Sequence, residues 1–226
     1  MKITWLGQAG LLLETGGLKI MIDPYLSDSV KEIQPHFYRR VPVDESLFSL
    51  SPSVIVLTHD HLDHTDPETL KHFLSADSEV TVLASENAWN RVRTTFGGIK
   101  NNYVRFNEGT EWTEGEVRFK AVYAEHSDSH AIGVLIEAEG KSYYITGDTL
   151  YNERLFAALP ETIDCVFLPV NGVGNNMNMQ DAKRFCERIG APAVPMHCGL
   201  FDEKKLSDFA YEKKIIPEFY KEIKLK

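Results

Sequence analysis

The order of apolar and polar positions predicts a chain that alternates strand meanders with strand–helix units. Short apolar runs at 2–6, 11–14 and 18–22 are separated by glycines, and Gly16-Gly17 is typical of a hairpin turn. Four consecutive apolar residues, Val54–Leu57, predict a buried strand that runs into a polar loop. Asp66 before Pro67 then predicts the start of a helix over 67–74. Further along, 80–84 predicts a strand and 86–96 a helix.

The same order recurs in the second half of the chain. Strands are predicted at 103–106, 116–123, 131–138 and 142–146, with a turn at Glu139-Gly140. Buried strands at 165–170 and 193–196 alternate with helices at 152–158, 179–189 and 204–211, whereas the segment 24–52, with several prolines, predicts a long loop. Two related halves with sheets inside and helices outside predict an α/β (α+β) fold, a four-layer αββα sandwich, in a single domain over residues 1–226.

Composition and charge narrow the classes of partner. The 226 residues carry 24 Lys+Arg and 33 Asp+Glu, a net charge of −9, so we expect no broad nucleic-acid binding. The apolar runs are far shorter than the ~20 residues of a membrane helix, and no signal segment is visible, which predicts no membrane partner and a cytoplasmic protein. Three cysteines without a CxxC pair indicate reduced thiols.

A cluster of histidines follows the buried strand 54–57. His59, His61 and His64 lie within six positions, with Asp63 between them. At an extended strand end, residues two apart point the same way, so His59 and His61 can face one metal ion. Asp63 and His64 fall on the turn toward the helix and can reach a second ion. Imidazole with carboxylate suits Zn, Mn or Fe.

This HxHxDH spacing resembles the signature of the metallo-β-lactamase superfamily, in which it is followed by an isolated His, an Asp and a final His. The matching segments here are Glu125-His126-Ser127, Thr146-Gly147-Asp148-Thr149 and Pro195-Met196-His197. The resemblance implies a metallo-β-lactamase fold with two divalent ions, one held by His59, His61 and His126, the other by Asp63, His64 and His197, with Asp148 bridging.

Two of these assignments have alternatives, and so does a supporting role for Asp23. His130 lies four residues after His126 and competes with it as the ligand; otherwise it is a substrate contact or an ordinary loop histidine. Asp148 could instead be an Asx-turn residue in Gly-Asp-Thr, but a carboxylate at the end of an apolar strand needs polar partners, which a metal would supply. The family resemblance implies that Asp23 orients a ligand imidazole and raises its basicity. A plain Asp-Pro turn is equally consistent with the sequence at this position.

Within the superfamily the chain resembles the ascorbate-6-phosphate lactonase-like group. The supporting segments cover nearly the whole chain: Trp5-Leu6-Gly7-Gln8-Ala9-Gly10, Ile22-Asp23-Pro24-Tyr25-Leu26, Gly147-Asp148-Thr149, Leu168-Pro169-Val170-Asn171-Gly172 and Met177-Asn178-Met179-Gln180-Asp181-Ala182. Thr65-Asp66-Pro67 replaces the glycine pair of glyoxalase II-like thioesterases, which lowers the support for a thioesterase. The group's lactonases imply a homo-oligomer.

The predicted reaction is metal-assisted hydrolysis. Two ions can share a water and lower its pKa toward 7, with Asp63 and Asp148 steering its proton. We expect a small, anionic substrate: a lactone or ester of a phosphorylated, sugar-like molecule. Candidate substrate contacts are Arg39, Arg40, His130 and Asn171, although the arginines fit a solvated pair and Asn171 an ordinary turn equally well. The alternatives are a phosphodiesterase for a small nucleotide or phospholipid headgroup, and a non-catalytic metal-binding module.

Overall fold

The computed structural model describes residues 1–97 and 100–225, and within them two six-stranded sheets. The first sheet follows chain order and consists of β1 (Lys2–Gly7), β2 (Gly10–Thr15), β3 (Leu18–Ile22), β4 (Val54–Leu57), β5 (Thr81–Ala84) and β6 (Asn102–Arg105). Strands β1 to β3 form an antiparallel meander, and β3 to β6 are parallel. The predicted hairpin at Gly16-Gly17 is confirmed, because Thr15 pairs with Leu18 across it.

The second sheet repeats this arrangement. Its strands are β7 (Glu111–Glu114), β8 (Val117–Tyr123), β9 (Ile132–Ala138), β10 (Lys141–Ile145), β11 (Cys165–Pro169) and β12 (Ala193–Met196). Strands β7 to β10 form an antiparallel meander, and β10 to β12 are parallel. The predicted relation between the two halves of the chain is therefore confirmed.

The sheets pack face to face, with helices on the outside. In β4, Val54 and Val56 join the core between the sheets, whereas Ile55 and Leu57 join a separate core on the outer face. That outer core contains residues of α2 (Pro67–Leu70) and α3 (Glu86–Thr95), while α4 (Met179–Ile189) packs on the second sheet, where Phe185 meets Tyr144 at a ring separation of 6.1 Å. The predicted four-layer αββα sandwich is confirmed.

Several local predictions need correction. The predicted loop 24–52 contains a short helix, α1 (Ser29–Ile33), and a 3₁₀ helix (Glu45–Ser49). The predicted helix 204–211 is only a 3₁₀ turn, Leu206–Asp208, because the buried side chains of Phe209 and Tyr211 draw the chain into the core. The helix expected at 152–158 is likewise a 3₁₀ helix, Glu153–Phe156. Among the described helices, none is long and apolar enough to cross a membrane.

Candidate metal centre and cavity

The predicted metal ligands follow four strands at one edge of the sandwich. His59 follows β4, His126 follows β8, Asp148 follows β10 and His197 follows β12. Strands β8 and β10 are both antiparallel to β9, so their carboxyl ends lie at the same edge. The sheets meet there, where the Ile132 amide donates to the Thr58 carbonyl at 3.1 Å and the His197 amide to the Gln8 carbonyl at 3.1 Å. Side chains from distant parts of the chain therefore surround one cavity of about 340 Å³.

Backbone conformation at this edge is specialised. Gly147, next to Asp148, has φ +60°, and a Cβ there would lie 2.5 Å from the Ile132 carbonyl oxygen. Only glycine fits this turn, which ends β10 beside the loop after β4. His197 and Asp23 also adopt left-handed φ values, +66° and +42°. Non-glycine residues in this region carry a strain that is characteristic of functional sites.

The first cluster consists of His59, His61 and His126, whose ring nitrogens lie within 4.8 Å of one another. The His126 Nδ1 lies 3.0 Å from the Asn175 carbonyl, which can only accept, so Nδ1 donates and the Nε2 lone pair is free. That Nε2 faces His61 Nδ1 at 3.2 Å. His59 is buried, and its Nε2 has no hydrogen-bond partner among the described residues.

The second cluster consists of Asp63, His64 and His197. The Nε2 atoms of His64 and His197 lie 3.2 Å apart. Asp148 Oδ2 lies 3.4 Å from His64 Nε2 and 3.1 Å from His197 Nε2, while its buried Oδ1 has no partner in the described chain. Asp63 Oδ2 lies 3.4 Å from His197 Nε2.

These donor sets fit divalent ions. Two imidazole nitrogens on one ion in tetrahedral geometry, each at about 2.0–2.1 Å from the metal, lie about 3.3 Å apart. The His61–His126 and His64–His197 pairs are both separated by 3.2 Å. A cation would also satisfy His59 Nε2 and Asp148 Oδ1, which are otherwise buried at a cost.

The electrostatics of the cluster without metal show how strongly its groups interact. Burial lowers the pKa of His59 well below its usual value and also lowers that of His126. Burial disfavours charge on His64 as well, but the carboxylates of Asp148, Asp63 and Asp23 outweigh it and raise the His64 pKa. Burial likewise opposes the charged form of Asp148, yet the His197 and His64 imidazoles hold its pKa well below the usual range. Asp148 is therefore a carboxylate at neutral pH.

Asp23 is linked by hydrogen bonds to one imidazole of each cluster, directly to His64 and through Thr58 to His59. Its Oδ2 accepts from His64 Nδ1 at 2.8 Å and from Thr58 Oγ1 at 2.6 Å, and its Oδ1 accepts from the Thr58 amide at 2.8 Å. Since the Thr58 hydroxyl proton goes to Asp23, that oxygen accepts from His59 Nδ1 at 3.0 Å. The chain His59–Thr58–Asp23–His64 sets the orientation of two imidazoles. Asp23, His59 and His64 are also close enough to hold an ion, but the Asp23 oxygens already accept these hydrogen bonds.

Side-chain amides complete the cavity. Asn171 Nδ2 lies 2.9 Å and Gln8 Nε2 lies 3.1 Å from His197 Nδ1, and Gln8 also donates to Asp63 Oδ2 at 2.8 Å. Asn176 donates to Asp148 Oδ2 at 2.8 Å, while its own buried Oδ1 has no partner in the described chain. Sequence reasoning included Asn171 but missed Gln8 and Asn176 as individual contacts; the position of Gln8 directly after β1, behind Gly7, was the available signal.

Three predicted substrate contacts do not line this cavity. Arg39 donates to the Tyr25 and Val41 carbonyls and to the Tyr220 hydroxyl, so its guanidinium holds the loop 24–52 in place. Arg40 forms an exposed pair with Glu203 at 3.1 Å. His130 is exposed, and its main-chain amide donates to Asp128 Oδ1 at 2.9 Å. Of the predicted set, the cavity contains Asn171.

Comparisons with known proteins show the family and the fold of this chain. A family model described as "Beta-lactamase superfamily domain" matches residues 19–198. The chain is 30% identical over 220 residues to a UPF0173 protein of Pyrococcus furiosus, and the aligned region covers 94% of this chain and 90% of that protein. It is 30% identical over 227 residues to a UPF0173 metal-dependent hydrolase of Shouchella clausii, covering 93% and 91%. Among solved structures, the metallo hydrolase Igni18 of Ignicoccus hospitalis has the same fold, with a TM-score of 0.75 at 18% identity, covering 98% and 97%.

Proposed function

The chain belongs to the beta-lactamase superfamily, and from this premise we propose that it is a hydrolase whose centre holds two divalent metal ions, Zn, Mn or Fe. The name of the Shouchella relative, a metal-dependent hydrolase, supports the reaction class. The observation that carries the proposal is the pair of adjoining clusters, each with a pair of imidazole nitrogens 3.2 Å apart. One ion would be held by His59, His61 and His126 and the other by Asp63, His64 and His197. Asp148, whose Oδ2 lies near His64 and His197, would bind both ions.

The ions, when bound, supply a nucleophilic water and polarise the electrophilic oxygen of the substrate. The chain provides the rest of the site. Thr58 and Asp23 hold the imidazoles of His59 and His64 in the tautomer that leaves Nε2 free. Gln8 orients Asp63 and His197 together. Asn176 holds the Asp148 carboxylate in place through Oδ2. Asp63, which lines the cavity, is an acceptor for a proton from water.

The substrate that this site favours is a small lactone or ester. Its carbonyl can lie at the ligand cluster while the neighbouring amides of Asn171 and Asn176 face the rest of the molecule. The predicted substrate carried a phosphate that Arg39, Arg40 and His130 were expected to bind, but these residues do not line the cavity. The proposed substrate is therefore an ester or lactone, with no phosphate group required.

Metal content tests the two-ion centre. Protein loaded with Mn or Zn, then passed through a desalting column, should retain two ions per chain by plasma mass spectrometry. His61→Ala and His197→Ala should each retain about one fewer and lose hydrolysis. His72→Ala is the matched control, because that imidazole stacks on Phe48 outside the cavity, at a ring separation of 4.0 Å. A single ion in the unmodified protein, or full metal content and activity in His61→Ala, would refute the proposed centre.

Substrate class is tested by comparing ascorbate 6-phosphate and simple lactones with bis(p-nitrophenyl) phosphate at equal concentration. Lactone opening that a chelator abolishes is the expected result. Preferential cleavage of the diester would keep the metal centre and replace the lactonase by a phosphodiesterase. Full metal content with no turnover of any of these compounds would favour a non-catalytic binding module.

A further inference from the structure

The cavity in front of the ligand cluster has an apolar entrance. Its lining includes six apolar side chains: Val30, Ile33, Leu62, Phe37, Val173 and Phe201. Ile33 and Val173 are 71% and 44% exposed, and they are two of the four large apolar side chains that are strongly exposed in the described chain. The Phe37 and Phe201 rings lie 6.1 Å apart and form adjoining parts of the wall. Exposed apolar side chains grouped around a catalytic cavity are typical of a binding surface.

The short helix α1 supplies part of this entrance. None of its five residues is buried, and its Val30 and Ile33 both line the cavity. Residues three apart lie on the same face of a helix, so one face of α1 points toward the cavity. Ile33 is largely exposed, so burial inside the protein does not explain its apolar character.

The charges of the cavity argue against an anionic substrate. Within the described chain, its lining contains no lysine or arginine. The carboxylates of Asp63 and Asp148 lie at its inner end, and the Asp202 carboxylate accepts from the Gly199 and Lys204 amides at 2.9 and 3.0 Å. The Lys204 ammonium donates to the Asn171 main-chain carbonyl. A phosphate or carboxylate remote from the metal ions would therefore lie among apolar groups and amides, with no lysine or arginine among the described lining residues to pair with it.

We propose that the cavity binds an uncharged ester or lactone whose alkyl or aryl group lies against Ile33, Phe37, Val173 and Phe201. This inference rests on the proposed function and specifies its substrate class. The carbonyl lies at the ligand cluster, beside Asn171 and Asn176, which also line the cavity. The apolar group replaces water at the entrance, where its burial favours binding.

Three p-nitrophenyl esters with the same leaving group separate chain length from charge: the acetate, the hexanoate and the monoester of adipic acid. The hexanoate and the adipate have equal chain length, but the adipate ends in a carboxylate. For the metal-loaded protein we expect kcat/KM to be at least about tenfold higher for the hexanoate than for the acetate, since several methylenes are buried. The adipate should be hydrolysed at least about tenfold more slowly than the hexanoate because its carboxylate is desolvated without a partner.

A substitution in the entrance tests the location. Ile33→Ser should reduce kcat/KM for the hexanoate several-fold more than for the acetate, because it removes apolar contact only from the longer chain. Ile216→Ser is the matched control: Ile216 is 41% exposed but lies in a different groove, so both rates should remain unchanged. Calorimetric binding of hexanohydroxamic and acetohydroxamic acids provides a readout without turnover, in which Ile33→Ser should weaken only the preference for the longer acid.

The results of these experiments distinguish a failure of this inference from a failure of the proposed function. If the metal-loaded protein hydrolyses none of the three esters and opens no lactone, the proposed function fails. Equal kcat/KM for all three esters, or a preference for the adipate, would overturn the apolar substrate class and leave the hydrolase intact. If Ile33→Ser instead dissociates an oligomer in analytical ultracentrifugation while the ester preference persists, the exposed face of α1 is an interface between copies, and the inference is wrong.

Discussion

Replacing Asp23 by asparagine should weaken metal binding in both clusters, although Asp23 is not itself proposed as a ligand. The carboxylate is 1% exposed and accepts three hydrogen bonds, from His64 Nδ1 and from the amide and hydroxyl of Thr58. Asparagine preserves the size and tolerates the left-handed φ of +42° at this position. It replaces one acceptor oxygen with a donating NH₂, which then faces a donor.

The magnitude follows from the contacts. Loss of a hydrogen-bonded partner behind a metal-ligating histidine typically costs 10–100-fold in metal affinity, roughly 1.4–2.7 kcal/mol. Here the change also removes the acceptor that fixes the Thr58 hydroxyl, through which His59 is oriented. The unpartnered buried donor should additionally lower the free energy of unfolding of the metal-free protein by roughly 1–3 kcal/mol.

Competition with a chromogenic chelator measures the affinity for metal. Urea unfolding of the protein after a chelator has removed the metal measures the free energy of unfolding. Asp66→Asn is the matched control, because this carboxylate is also buried but none of its partners is a proposed ligand. They are the hydroxyls of Ser27, Ser29 and Thr69 and the amides of Glu68 and Thr69. Asp66→Asn should lower the free energy of unfolding and leave the metal affinity of the folded protein unchanged. Unchanged metal affinity in Asp23→Asn, or an equal loss in both variants, would refute the orienting role of Asp23.

Two further predictions concern the backbone and the charges of the centre. Gly147→Ala should lose metal and lower the free energy of unfolding by more than the roughly 1–2 kcal/mol of a left-handed alanine, because its Cβ would contact the Ile132 carbonyl. Gly140→Ala, at φ +71° with no atom within 4 Å of its Cβ, should show only that cost; equal effects in calorimetry and metal analysis would contradict the steric argument. In the metal-free protein, burial opposes charge on His197, but Asp148 and Asp63 outweigh it and raise its pKa to about 9 from an ordinary 6.5. The folded state then holds a proton that the unfolded chain has lost, so the free energy of unfolding should fall as pH rises from about 6.5 to about 9. Urea titrations of chelated protein at both ends of this range check the sign, and a flat or rising profile would disprove it.

Local sequence patterns were sufficient to predict the strands and to name the proposed ligands. Three strands were predicted with the bounds that the structure has, β3, β4 and β12, because each is a mainly apolar run between polar or turn residues. The N-cap of α2 was equally local: Asp66 accepts from the amides of Glu68 and Thr69. The seven proposed ligands were named from spacing and family resemblance, and five of them line one cavity: His61, Asp63, His126, Asp148 and His197.

Tertiary packing decided what depends on distant partners. The segment 204–211 has helical composition, but burial of Phe209 and Tyr211 prevents a helix. Arg39 has the chemistry of a phosphate ligand, yet the Tyr25 carbonyl and the Tyr220 hydroxyl, far apart in sequence, accept its hydrogen bonds. The contacts of Gln8 with Asp63 and His197 arise only when the two sheets meet. Sequence by itself was thus enough to predict the metal ligands proposed here, because that prediction depends on residue type and short spacing. The apolar cavity entrance formed by Ile33, Phe37, Val173 and Phe201 was decided by the fold alone, because it joins loops separated by more than a hundred residues.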